Sequence, residues 1–207
     1  ENSDSLLEDL PGWNFVEWSK ANNFVNGVNY PTNMLYVAAL STAGELYDEA
    51  YSEKARKIKQ NILEQSFNGT FFVDNAIRKN GELELTDNIS EVCQYYAFFL
   101  NIATKESHNK LFNLLMNDFG PHRDYTKTYC MVHPAAPFIG YFLRLDILSQ
   151  VGRYDELKEN IESYYYNMAC KTGTLWEHAD TRASCSHGFS SYILCWLEQI
   201  RKQVSGS

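Results

Sequence analysis

Along most of the chain, apolar residues return every three or four positions, the spacing that lines up side chains on one side of an α-helix. From Pro31-Thr32-Asn33 onward, Leu35, Ala38, Ala39, Ala43 and Leu46 predict a first helix with those residues on one side. Ala55, Ile58, Ile62 and Leu63 predict a second, ending near Phe67-Asn68-Gly69. A third starts at Ser90, a residue suited to capping a helix N-terminus, and runs through Val92, Tyr96, Phe99 and Leu100. Leu111, Leu114 and Leu115 mark a fourth. Pro134 and Pro137 open a fifth that carries Phe138, Tyr141, Phe142, Leu145 and Leu148 and stops at Gly152. Tyr154 or Asp155 begins a sixth, through Leu157, Ile161, Tyr165 and Met168. Ser190 begins a seventh, through Ile193, Leu194, Leu197 and Ile200.

One stretch breaks this period. Asn68-Gly69 and Asn80-Gly81 bracket Phe71-Phe72-Val73-Asp74 and precede Leu83-Glu84-Leu85, which predicts a short strand pair or an irregular excursion. Helix–turn–helix units recur without a fixed period, which excludes a regular repeat array. The spacing predicts an all-α chain of helical hairpins forming all or part of a toroid, with residues 1–207 as one domain. Ser205-Gly206-Ser207 reads as a flexible end.

Composition narrows the partners. Eighteen basic against 26 acidic residues give a net charge of −8. Phosphate backbones need a basic surface, so nucleic acid is not an expected partner. No apolar run reaches membrane-spanning length, so no membrane is expected either, and the polar N-terminus does not read as a signal peptide. Aromatic residues make up 14%, a surplus that serves either a large core or a stacking surface. The run Tyr164-Tyr165-Tyr166 must point its rings in different directions, at least one toward solvent or a groove. Cys93, Cys130, Cys170, Cys185 and Cys195 form no C-x-x-C pair and no metal-ligand spacing with the histidines, so no metal or other cofactor is expected.

The candidate chemistry lies in Gly173-Thr174-Leu175-Trp176-Glu177-His178 and in Ser186-His187-Gly188-Phe189-Ser190-Ser191. A carboxylate beside an indole, followed by a His-Gly turn, can hold a sugar ring and activate a water. The same residues also fit a buried indole followed by a solvated loop acid. His187 can equally bond a sugar hydroxyl or cap the next helix. Asp180 reads as a solvated loop acid, His122 and His178 have no evident partner, and His133-Pro134 fits a turn as well as a cleft wall. Asn68-Gly69-Thr70 and Asn88-Ile89-Ser90 match the glycosylation pattern, one that is common by chance.

Gly173-Thr174-Leu175-Trp176-Glu177 resembles the loop of α-L-rhamnosidases, glycoside hydrolase family 78, in which Gly-x-x-Thr-x-Trp-Glu carries the catalytic base. Only Thr-x-Trp-Glu is in register here, because the glycine lies closer. Ser186-His187-Gly188-Phe189-Ser190-Ser191 resembles the following Cys-His-Gly-Trp-Ser-Ala segment, with Phe189 in place of the tryptophan. Gly12-Trp13-Asn14-Phe15-Val16-Glu17-Trp18 resembles the family's Asp-Trp loop, with Glu17 in place of the aspartate. Pro134-Ala135-Ala136-Pro137-Phe138 with Gly152-Arg153-Tyr154-Asp155 fits the hairpin before the base loop.

The resemblance implies an (α/α)6 barrel, an inverting mechanism and a rhamnoside-type carbohydrate substrate. It implies Glu177 as the base, fixed and shielded by Trp176, with Trp18 stacking on the sugar and Glu17 and His187 binding its hydroxyls. Those residues are then expected to converge on one cleft. The family's general acid sits in an Asp-rich, Arg-containing motif upstream of the Asp-Trp loop, and nothing before Trp13 matches it. The chain is therefore expected to be the C-terminal portion of a catalytic domain. It is then expected to expose apolar helix faces that a missing portion or a second copy would cover. A non-catalytic helical carbohydrate-binding or interaction module, or another (α/α)6 exo-glycosidase, is the alternative.

Overall fold

The computed structural model describes residues 1–123 and 128–205. Gly206 and Ser207, in the end that reads as flexible, lie outside the described residues. Helix makes up 53% of the structure, so the chain is a helical protein. The described helices are α1 (Tyr30–Leu46), α2 (Glu49–Ser66), α3 (Glu91–Phe99), α4 (Asn109–Asp118), α5 (Gly140–Gln150), α6 (Tyr154–Thr172) and α7 (Ile193–Ser205). Short 3-10 turns at Lys20–Asn23 and Gly188–Tyr192 lead toward α1 and α7.

Side chains satisfy the first free N–H groups of several helices, which have no partner inside the helix. Asn29 accepts from the Thr32 N–H at 3.0 Å to cap α1. Asp48 accepts from Ala50 at 2.9 Å to cap α2. Ser90 accepts from Cys93 at 3.2 Å to cap α3. Buried apolar residues on α2 (Ala55, Ile58, Ile62) and α6 (Leu157, Ile161, Tyr165, Met168) are those the spacing selects. Tyr164 and Tyr165 are buried while Tyr166 is 70% exposed, so the three rings do diverge.

Helix α1 packs the other way from the sequence expectation. Its buried residues are Tyr30, Pro31, Asn33, Met34, Val37 and Leu40, while Leu35 and Leu46 face solvent. The helix is apolar almost all round, so periodicity alone does not select a face.

The chain is not purely helical, which corrects the all-α expectation. Strand β1 (Val28–Asn29) pairs with β2 (Asn75–Lys79), which pairs with β3 (Glu82–Leu85), all antiparallel. The β2–β3 turn is Asn80-Gly81, both at positive φ (50° and 90°), the backbone that a two-residue hairpin requires. Phe71–Asp74 stays outside the strands, apart from an isolated bridge between Phe67 and Phe72. A second pair, β4 (Ile89–Ser90) and β5 (Val132–His133), is parallel. It ties the start of α3 to the segment that leads into α5.

Helix α3 is the central element, with eight of its nine residues buried. It packs between α1 and α5, while α2 backs α1 and α6 backs α5. Burying charge demands partners, and the buried charges here have them. Glu91 pairs with Arg123 (Nη2 to Oε2, 2.8 Å) and accepts from the Tyr95 hydroxyl. Arg144 on α5 donates to Tyr95 Oη at 3.3 Å, to the Leu115 carbonyl at 2.7 Å and to Asn160 at 2.6 Å, joining α3, α4, α5 and α6. Apolar surface remains uncovered on α7, where Leu194 is 64% exposed beside Leu197, and at the end of α1.

Candidate active site

The loops that precede α1, α5 and α7 meet at one end of the helices. Val16, in the first loop, accepts from Tyr96 of α3 through its carbonyl at 3.3 Å. Trp18 then lies against His178, ring centroids 5.6 Å apart, although 160 positions separate them in sequence. Trp13 and Phe15 pack on Trp18 at 5.7 and 4.7 Å, and Phe15 reaches Phe138 at 5.9 Å. Phe138 in turn meets His187 edge-on at 5.2 Å. A continuous aromatic patch thus joins the three loops. A small cavity of about 120 Å³ opens in it, between Trp18 on one side, Ala135–Pro137 on another and His178–Asp180 on a third. A second cavity of about 190 Å³ shares Ala135 and Ala179 with it and is floored by Glu91 and Arg123.

Trp176 anchors the loop that carries Glu177. Its indole is buried, and Nε1 donates to Thr172 Oγ1 at 2.8 Å. Its carbonyl accepts from the Ser190 hydroxyl at 3.1 Å, which ties the loop to the turn before α7. The indole therefore offers no face to a sugar, so a substrate-binding role for Trp176, expected from the sequence, is corrected to the buried indole that the same residues also fit. Glu177 itself is half-buried, and its N–H donates to the Ser184 carbonyl at 2.9 Å. It follows the buried indole and precedes His178, which lines the smaller cavity, while Glu177 itself lines neither of the two cavities. His187 is half-buried and accepts from the Phe189 N–H through Nδ1 at 3.3 Å. It thus caps the 3-10 turn, and among the described residues Nε2 has no partner.

Glu17 departs from its sequence expectation. Its side chain is fully buried, so it cannot meet a hydroxyl in the cleft. Oε1 accepts from the Ala136 N–H at 2.9 Å and from the Gly140 N–H at 2.5 Å, groups at the entry to α5 that need an acceptor. Burial raises the carboxyl to about 8, against the opposing pull of the Ser19 hydroxyl and the two N–H groups, and nearby Glu91 adds to the rise. Gly140 is required by this approach. A Cβ there would lie 2.5 Å from Glu17 Oε1 and 2.4 Å from the Ala135 Cβ. Gly140→Ala is expected to lower stability by about 1–3 kcal/mol through overpacking; an unchanged denaturation midpoint would refute the contact.

Asp180 is exposed and its carboxyl is held down to about 2 by hydrogen bonds from the Arg182 side chain and N–H. Of the two glycosylation-pattern tripeptides, Asn88-Ile89-Ser90 is folded inward, since the buried Ser90 hydroxyl donates to Asp74 at 2.6 Å. Asn68 is exposed. Among the described residues no group of His, Cys, Asp and Glu is placed to hold a metal. No helix among them is long and apolar enough to cross a membrane.

Three features of this end escaped sequence reasoning. His178 had no visible partner because Trp18 lies so far upstream. Trp13, 71% exposed at the edge of the patch, was legible only as part of a tryptophan-rich loop. The Glu91–Arg123 pair has no local pattern at all.

No family model and no curated protein matches the chain. Solved structures do. A glycoside hydrolase family 78 rhamnosidase of Bacillus sp. GL1 superposes over 91% of this chain with a TM-score of 0.71 at 18% identity. A rhamnosidase from Klebsiella oxytoca with rhamnose bound superposes over 96% with a TM-score of 0.68 at 15% identity. The chain spans 20% of the first protein and 38% of the second. At these identities the likeness concerns the fold: this chain has a fold like that of part of the family 78 rhamnosidases.

Proposed function

We propose that the chain is part of the catalytic domain of an α-L-rhamnosidase-type glycoside hydrolase, and that its hairpins form part of an (α/α)6 toroid. The observation that carries this reading is the likeness over nine-tenths of the chain to two rhamnosidases, one of them holding rhamnose. The meeting of the Trp18 loop with the His178 loop supports it, because the resemblance needs those distant segments together. In this reading Glu177 takes a proton from water as it attacks the anomeric carbon, and the leaving oxygen departs from the opposite face with inversion. Trp18 and Trp13 offer rings to the sugar, and His187 Nε2 is the ring nitrogen left for a hydroxyl. Glu17 and Trp176 shape the site from beneath. No carboxyl of this chain is assigned as the general acid. A second copy or a further portion of the domain covers the exposed apolar residues of α7.

An aryl α-L-rhamnoside hydrolysed by the protein that contains this chain, with the product followed by NMR before mutarotation, tests the reading. The β-anomer is expected first. The α-anomer as first product would exclude inversion, and no hydrolysis would exclude the rhamnosidase in favour of a carbohydrate-binding module or another exo-glycosidase.

A further inference from the structure

Glu17 is a buried acid with an unusual set of neighbours. One oxygen takes both N–H groups of Ala136 and Gly140, while Oε2 is buried with no hydrogen-bond partner among the described residues. The groups facing it are Ser19 from its own loop, Glu91 and Tyr96 from α3, and Tyr192 from the turn before α7. None of these carries positive charge, and the Arg123 guanidinium that pairs with Glu91 is engaged there. A carboxylate here would be an uncompensated buried charge beside a second acid. An uncharged acid is not, and its carbonyl-type oxygen still serves two donors.

The segment Glu17 holds is not remote from the site. Ala135–Pro137 forms one wall of the 120 Å³ cavity, and Trp18, the next residue after Glu17, forms another. One side chain therefore ties two walls together, over sequence separations of 119 and 123 residues.

We propose that Glu17 is a positioning residue: as an uncharged acid it clamps Ala136–Gly140 to the Trp18 loop and keeps the sugar cavity shaped, and its ionisation releases that clamp. This rests on the glycosidase reading above. Ionisation places a bare charge beside Glu91, and the charge is relieved only when water enters and the two walls part. Burial raises the carboxyl to about 8, so the clamp holds in mild acid and loosens as pH rises through that value. The unfolded chain releases this proton near the ordinary glutamate value of 4.5. Between there and about 8 the folded chain keeps a proton that the unfolded chain has lost, so stability falls with rising pH and levels off above. Asp74, raised by burial to about 7 against its bonds from Ser90, contributes a decline of the same sign. Only a variant of Glu17 isolates its share.

Glu17→Gln keeps an uncharged acceptor in place. Hydrolysis of an aryl rhamnoside and thermal unfolding are measured across the range of about pH 5 to 10 for the wild type and this variant. At mild acid pH the variant is expected to retain kcat/KM within about threefold, since no transition-state contact is removed. The alkaline fall centred near the wild-type value is expected to vanish, and its unfolding temperature is expected to decline less from pH 5 to 8. Identical pH dependence of unfolding in both proteins would overturn the proposal. So would a loss of about a hundredfold or more at mild acid pH with unchanged unfolding, which would mark an ionised carboxylate acting in the chemistry. If neither protein hydrolyses the substrate, the glycosidase reading fails while the unfolding comparison still decides the role of Glu17. If the variant does not fold, wild-type amide exchange at Ala136 and Gly140 decides it. Corrected for intrinsic rates, exchange is expected to accelerate above about pH 8, and constant protection would overturn the clamp.

Discussion

Glu177→Gln is expected to lower hydrolysis of an activated aryl rhamnoside by about 10²–10⁴-fold, the usual worth of a general base. The amide has the shape of the carboxylate but takes no proton from the attacking water. An aryl leaving group suits the test because its phenolate departs with little help from an acid, so the assay isolates the base. Folding should be unaffected, since among the described residues the Glu177 side chain holds no other group in place; only its N–H is bonded, to Ser184. Denaturation midpoint and activity are to be read on the same preparations. Activity retained by a folded variant would remove Glu177 from the base role.

Trp176→Ala is expected to cost about 3–5 kcal/mol, the range for truncating a large buried aromatic to alanine. The indole is buried and its Nε1–H is bonded to Thr172. At this chain length that loss corresponds to a fall of roughly 10 °C in unfolding temperature. Trp176→Phe should cost less, because the ring is kept and the loss is one hydrogen bond, worth about 1 kcal/mol, plus part of the volume. Urea titration of the three proteins gives the order directly. A cost below about 1 kcal/mol for alanine would place the indole outside the core and leave the Glu177 loop without its anchor.

How much of this was legible in the sequence depends on the distance over which each feature is encoded. Helices α2, α3 and α6 carry their own periodicity, and Ser90 marks the start of α3, so local residues sufficed. The Asn80-Gly81 hairpin was legible for the same reason. The buried side of α1 was not, because Leu35 and Leu46 compete with Met34, Val37 and Leu40 on a helix apolar nearly all round. In the site, the resemblance supplied the loops of Trp18, Glu177 and His187, but not their depth. Nothing near Glu17 in sequence shows that its acceptor role lies with Ala136 and Gly140, and nothing near Trp176 separates a stacking indole from a core one. Burial is set by partners from other loops, and a single sequence carries no trace of such pairings.

The separation between Glu17 and its two donors has a consequence for how the molecule comes together. Hairpins such as α1–α2 close over a few residues and form early. The Glu17 contacts close a span of more than a hundred residues, and the chain entropy of so long a loop opposes them until the intervening helices have docked. The cavity between Trp18 and Ala135–Pro137 is therefore expected to consolidate last, after the helical frame exists. A partly folded chain can hold nearly all of its helix and still have nowhere to seat a ligand.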